Sequence, residues 1–229
     1  MVPLNPRAVS PPREGVWRVA RGPNPLDARL PDPDTLTTSK AGNRFDAPNR
    51  EFGVLYFGST LKACFGETLA RKRPDPTLAR LVEQEWQGRN FMEIGAVPQD
   101  WRDRRSAVRV RLPADIPYLD VEHPDTHQFL RRELALGLSA LGHGDLNIGT
   151  VRGPDRRVTR LISHWAWSQG EPTGRPSYAG IRYVSKINND WECWAVFWDA
   201  QFEVLDTKPI TLDMPDLQEM ANFLGLRIH

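Results

Sequence analysis

Residues 52–57 read FGVLYF, an almost fully apolar run. A half-exposed strand would alternate apolar and polar positions, and an amphipathic helix would repeat every ~3.6 residues. This run does neither, and it predicts a strand buried on both faces. Gly58-Ser59-Thr60 breaks it. A hydroxyl at Ser59 or Thr60 can accept from the free N–H groups of a first helical turn, so a helix is predicted from Leu61 to Arg71. Pro74 and Pro76 end it, because proline can neither donate to a helix nor fit its interior.

The rest of the chain gives this unit its setting. GVWRVAR (15–21) alternates and predicts a first strand. FMEIGAV (91–97), AVRVRL (107–112), AGIRYVS (179–185), ECWAVFWD (192–199) and FEVLDTKPI (202–210) predict further strands, with a short one at Tyr118 to Val121. Helices are predicted from Thr77 to Trp86, from His127 to Leu138 behind a His123-Pro124-Asp125-Thr126 cap, from Val158 to Trp167, and from Pro215 to Leu224. Gly142 to Gly149 reads as a loop. Strands outnumber helices and do not alternate with them regularly, which favours an α+β fold over a doubly wound sheet. Residues 1–14 are Pro-rich and predict a flexible N-terminal segment, with one domain over 15–229. Gly22 to Arg50 holds too many prolines for a central strand and too little periodicity for a helix. A loop that long in a compact domain is usually functional or disordered.

Charge and cysteine content remove several function classes. With 30 basic and 29 acidic residues the net charge is +1, so there is no long-range field to draw in nucleic acid or an anionic membrane. The clusters Arg71-Lys72-Arg73, Arg102 to Arg105 and Arg156-Arg157 lie near acids or prolines and read as solvated faces. Cys64 and Cys193 form neither a zinc-like spacing nor a disulfide framework, and they read as small buried hydrophobes. No basic start followed by an apolar run opens the sequence, and no apolar stretch nears ~18 residues, so a cytoplasmic protein is expected. The histidines make no metal-ligating pattern. Common nucleotide-binding and hydrolase signatures are missing as well.

A few polar residues stand where packing does not ask for them. Arg18 lies in mid-strand between Trp17 and Val19, where an outward arginine would be unremarkable. Arg44 sits in the Gly42-Asn43-Arg44-Phe45-Asp46 turn, where a solvated arginine would be usual. Tyr56 lies inside the apolar run and could be a core tyrosine with a satisfied hydroxyl. Glu67 shares a helix face with Ala63, Cys64, Ala70 and Arg71, so it is either near a site or paired with an arginine such as Arg71. Ser185 ends a strand. His164, beside Trp165, reads as a packed histidine.

The ordered pieces Trp17-Arg18-Val19, Gly42 to Asp46, Val54-Leu55-Tyr56, Ala63 to Thr68, and Gly180 to Ser185 followed by Cys193 to Phe197 resemble the RES-domain family over roughly residues 15–205. Asn43 stands where many members have a second glycine. The resemblance implies an ADP-ribosyltransferase-like fold, with central mixed sheets and flanking helices. It also implies a toxin that consumes NAD, with NAD as substrate and no further cofactor, held in check by a helix-turn-helix (Xre-type) antitoxin, and it allows a homo-oligomer. On this resemblance Glu67, Tyr56, Arg18 and Ser185 are the expected catalytic residues. Glu67 would stabilise an oxocarbenium-like ribose, Tyr56 would stack on nicotinamide, and Ser185 would orient Glu67 or a ribose hydroxyl. Arg44, Arg18 and Tyr56 are the expected NAD-binding residues, the arginines on the pyrophosphate. The acceptor could be water, phosphate or a protein, the last making the chain an ADP-ribosyltransferase. A non-catalytic binding module is the competing reading, and direct binding of nucleic acid or membrane is not expected.

Overall fold

In a computed structural model, which describes residues 5–36, 38–85, 93–170, 172 and 174–229, the 52–57 run lies inside a mixed sheet. The strands are β1 (Ala8–Val9), β2 (Val16–Arg21), β3 (Val54–Gly58), β4 (Ala96–Val97), β5 (Arg105–Arg111), β6 (Tyr118–Asp120), β7 (Gly180–Val184), β8 (Glu192–Phe197), β9 (Glu203–Pro209) and β10 (Arg227–Ile228). Eight of them form one sheet in the order β1-β6-β7-β8-β3-β2-β5-β9, and β10 pairs with β4. Within the large sheet only the β6–β7 pair is parallel. Antiparallel neighbours with helices placed outside the strand sequence make the fold α+β, a large mixed sheet with flanking helices.

β3 is apolar throughout because both of its faces are covered. Leu55 and Phe57 pack with Val108, Val110, Trp194 and Val196 on one side. Val54 and Tyr56 turn to the other side, toward Phe45, Ile181 and Phe197. There the Arg156–Ser168 helix supplies Val158, Ile162 and Ala166, and the Pro124–Glu133 helix supplies Leu130. A third apolar cluster joins Leu61, Phe65 and Leu69 to Trp101, Trp191 and the Pro215–Leu224 helix through Leu217, Met220 and Leu224. The C-terminal residues therefore brace the helix that carries Glu67.

Several sequence expectations need correction. The inner half of the 1–14 segment is ordered: Ala8 and Val9 pair with Leu119 and Tyr118 at the sheet edge. Arg7 N–H donates to Thr126 Oγ1 (2.9 Å), and Asp120 N–H donates to Arg7 C=O (2.9 Å). Prolines flank this strand, which an edge tolerates because proline then removes no ladder bond. The helix placed at His127 starts at Pro124, whose missing N–H is one that a first turn leaves unpaired anyway. It gives way at Leu134 to a second helix, Ala135–Ala140. The 142–149 loop runs into a short helix, Ile148–Val151. Of the 91–97 strand, Ala96–Val97 is observed, while residues 91 and 92, like Trp86 at the end of the Pro76–Glu85 helix, lie outside the described residues.

Candidate active site

The Glu67 helix is set close against β3 by small residues. Thr60 is its N-cap, accepting from Ala63 N–H at 3.1 Å. Ser59 instead donates to Glu192 (2.6 Å) and accepts from Trp194 Nε1 (3.0 Å). A Cβ on Gly58 would come within 3.1 Å of Cys64 Sγ, and one on Gly66 within 2.2 Å of the Trp191 ring. Gly66 therefore lets the helix lie on Trp191, and Glu67 is carried out to the opposite, exposed side. Gly66→Ala forces a methyl into a ring that is itself packed. It is expected to cost about 1–3 kcal/mol, read as a lower urea midpoint at unchanged slope.

Beside this helix opens a cavity of about 750 Å³. Arg18, Arg44, Tyr56 and Glu67 all line it. So do Ala63, Cys64, Ala70 and Arg71, the helix face the sequence spacing places around Glu67. Glu67 is the only carboxylate among the described lining residues, and eight are cationic: Arg18, Arg21, Arg44, Arg71, Lys72, Arg105, Arg156 and Lys186. Four of the eight, Arg71, Lys72, Arg105 and Arg156, belong to the runs expected to be solvated faces. The near-zero net charge hides a strongly positive interior surface.

The arginines are fixed by backbone oxygens rather than by acids. Arg18 Nε donates to Pro25 C=O (2.7 Å) and Nη1 to Tyr56 C=O (3.0 Å). Arg44 Nη2 donates to Val151 C=O (3.1 Å), and its guanidinium lies 5.2 Å from the Phe45 ring centroid and 5.1 Å from that of Tyr183. Arg44 Nε is buried with no hydrogen-bond partner among the described residues. Burial lowers the pKa of both, and for Arg44 the Tyr183, Glu122 and Glu67 charges oppose that shift. Cations held this way keep their charge for a ligand, since neither forms an ion pair with a carboxylate among the described residues.

Asp46 shapes the loop that carries Arg44. It accepts from Asn43 N–H (2.7 Å), Asn43 Nδ2 (3.2 Å) and the Tyr56 hydroxyl (3.0 Å). The same hydroxyl accepts from Phe45 N–H at 3.1 Å. Tyr56 thus offers its ring to the cavity and spends its hydroxyl on the loop. Burial and the Asp46 charge raise its pKa, so it stays protonated. Asn43 serves the loop through its side-chain amide, which a second glycine could not supply.

Ser185 lies apart from the cavity wall. It is buried, its Oγ accepts from Ile187 N–H (3.0 Å), and its N–H donates to Trp191 C=O (2.9 Å). It closes the turn that brings Lys186 and Ile187 to the wall. Lys186 escaped the sequence reading because an isolated lysine after a strand carries no pattern. Burial, then the charges of Arg44 and Arg156, push its pKa down to about 8, against the pull of Glu67. Burial also pushes the Cys64 thiol up to about 12 and Cys193 well above its ordinary value, so neither offers a thiolate. His164 lies outside the cavity, 3.6 Å from Glu51.

A cationic cavity with one facing carboxylate, built from the Arg18, Arg44, Tyr56 and Glu67 segments, agrees with a family model, that of the RES domain, which matches residues 15–216. The chain belongs to the RES-domain family. The match extends beyond residue 205 into the start of the C-terminal helix, in keeping with the packing of that helix on the Glu67 helix. Comparison with curated proteins gives no match. Membership in the RES family suggests an NAD-related enzymatic role in general terms. Among the described residues no helix is long and apolar enough to cross a membrane.

Proposed function

We propose that this RES domain cleaves the nicotinamide–ribose bond of NAD and acts as a growth-inhibiting toxin neutralised by a cognate antitoxin. The observation that carries the chemistry is Glu67, alone among the lining cations and free of any hydrogen bond among the described residues. The substrate is a dianionic diphosphate joined to a cationic leaving group, so it needs positive charge along most of its length and negative charge at one point. When the C1′–N bond breaks, its electron pair leaves with nicotinamide, which departs neutral and needs no general acid. Positive charge then develops on the ribose, where Glu67 stabilises it and can accept a ribose hydroxyl. Arg44 and Arg18 hold the diphosphate with charge-assisted hydrogen bonds. The Tyr56 ring stacks on nicotinamide. An oxygen nucleophile then closes on C1′: water or phosphate in the main reading, a protein side chain in the alternative. Ser185 acts through the turn that positions Lys186.

The test is NAD consumption by the purified chain, with and without phosphate and with products resolved by mass. Free ADP-ribose or its 1-phosphate supports the reading, and NAD left intact by folded protein overturns it. Co-expression with the candidate antitoxin should restore growth if the toxin role is right.

Lys186 adds a pH signature. Its proton is lost near 8 in the folded chain and near 10.5 when unfolded, so stability gains as pH rises across that window. Affinity for an anionic ligand moves the other way, because Lys186 loses its charge beside the bound phosphates. ADP-ribose affinity is therefore expected to fall as pH rises through about 8, and Lys186→Met to flatten the profile in a calorimetric titration.

A further inference from the structure

Arg21 ends β2, Arg105 begins β5, and the two are direct partners across this antiparallel ladder. Side chains so opposed share one face with Cβ atoms ~5 Å apart, and like charges there repel. The Arg21 side chain has no hydrogen bond or ion pair among the described residues. Two acids lie nearby: Asp100, ion-paired with Arg104 at 3.3 Å, and Asp103, which lines the second groove but forms no ion pair with either arginine among the described residues. Arg105 is held in place: Nη1 donates to Trp101 C=O (2.9 Å), and the guanidinium lies 4.8 Å from the Trp101 ring centroid. Burial, then the Arg21 charge, lower its pKa, with Asp100 opposing.

The pair stands where two cavities meet. Arg21 and Arg105 line the Glu67 cavity, and both also line a second groove of about 630 Å³ that continues to Lys208 and Thr207. Lys208 is itself placed, with Nζ 4.6 Å from the Trp17 ring centroid. Two guanidiniums carried by opposed strand positions, neither ion-paired among the described residues, on a wall shared by two open spaces, are relieved by an anion bridging them. A phosphate monoester suits this best: it carries about two negative charges at neutral pH, and its oxygens match guanidinium forks.

We propose that Arg21 and Arg105 form a second phosphate subsite, which takes a phosphate monoester borne on the dinucleotide, so that the cavity favours a ribose-phosphorylated dinucleotide over the unphosphorylated form. The identity of the main ligand rests on the NAD-cleaving reading. The subsite itself rests on the opposed arginines and the cavity they share. Because that wall belongs to the cavity holding Glu67, a phosphate there lies in the same open space as the dinucleotide rather than at a separate surface.

Calorimetric titration of the full chain with ADP-ribose, with 2′-phospho-ADP-ribose and with inorganic phosphate tests it. The phosphorylated ligand is expected to bind at least about tenfold more tightly than ADP-ribose, as charge-assisted bonds to a dianion provide. Arg21→Gln should bring that ratio toward one, and Arg21→Gln with Arg105→Gln should complete the loss. Arg21 is exposed, so its single variant is expected to fold as the wild type does. A wild-type ratio near one, or a ratio unmoved by either variant, overturns the subsite while leaving the NAD reading in place. Inorganic phosphate that binds to the wild type, loses affinity in the variants and leaves the ligand ratio near one assigns the pair to free phosphate and also overturns the proposal. Binding of neither nucleotide overturns the NAD reading, and the subsite with it.

Discussion

On the proposed reading, Glu67→Gln is expected to cut NAD cleavage by about 10²–10³ while leaving the fold intact. The carboxylate is exposed and has no hydrogen bond among the described residues, so its removal leaves no buried partner unpaired. Glutamine keeps the shape and can still accept from a ribose hydroxyl, but it carries no charge. What disappears is the interaction made with the cation that develops as the glycosidic bond breaks. Losing one such stabilising group costs about 10²–10³ in kcat, and KM should change little if, as proposed, the ground-state grip lies with Arg18 and Arg44. The variant should keep its thermal midpoint and bind ADP-ribose with no more than a modest change. With the negative charge removed from the cavity, affinity for anionic ligands should rise if it moves at all. Loss of growth inhibition in the same variant would tie the toxin role to the chemistry. A variant that consumes NAD as fast as the wild type would place the chemistry elsewhere. Growth inhibition that persists without turnover would favour the binding module.

What the sequence shows and hides follows from the range of the interactions. The burial of β3 was legible because an unbroken apolar run leaves no face for water. The surroundings of Glu67 were legible because helical spacing is local: Ala63, Cys64, Ala70 and Arg71 do share its side of the cavity. Arg18, Arg44 and Tyr56 converge there through the β2–β3 pairing and the Asp46-held turn, and only the order of motifs hinted at that. The basic clusters misled because a charge run next to acids or prolines looks the same in sequence whether it faces bulk water or lines a concave wall. Arg156 reaches the cavity from a helix more than a hundred positions away from Arg44, and no local pattern records such a contact. The role of Asp46 leaves no local signal, since its three hydrogen bonds form only after the turn has closed. Ser185 shows the reverse case: a motif residue whose hydroxyl serves the backbone of its own turn.

Arg160→Met is expected to unseat the loop that carries Arg44, although Arg160 is not among the residues lining the cavity. The residue is 2% exposed, unusual for an arginine that forms no ion pair among the described residues. Its guanidinium donates instead to five carbonyls, those of Thr35 (3.3 Å), Leu36 (3.4 Å), Thr38 (3.3 Å), Asn43 (3.4 Å) and Ala41. These oxygens belong to a segment with little regular structure to satisfy its backbone, so one side chain does for it what a ladder does for a strand. The fit is close. Gly42 has φ +71°, and a Cβ there would lie 2.7 Å from Arg160 Nη2, so both the turn and the packing require glycine. Methionine fills a similar volume but donates nothing. Several carbonyls at this segment are only partly shielded, so water recovers some of the loss, and the net cost is about 3 kcal/mol. The same change should abolish ADP-ribose binding, because Arg44 sits one residue beyond the released Asn43 carbonyl. Hydrogen exchange should show protection lost over residues 38–46 and kept in β3 and β8. Arg160→Lys retains the charge but cannot reach five oxygens from one ammonium, and it should recover only a small part of the binding. If Arg160→Met keeps loop protection and ligand affinity, the hydrogen bonds of Asp46 and the Arg156 bond to the Gly42 carbonyl are sufficient to hold the turn, and Arg160 is only a packing residue.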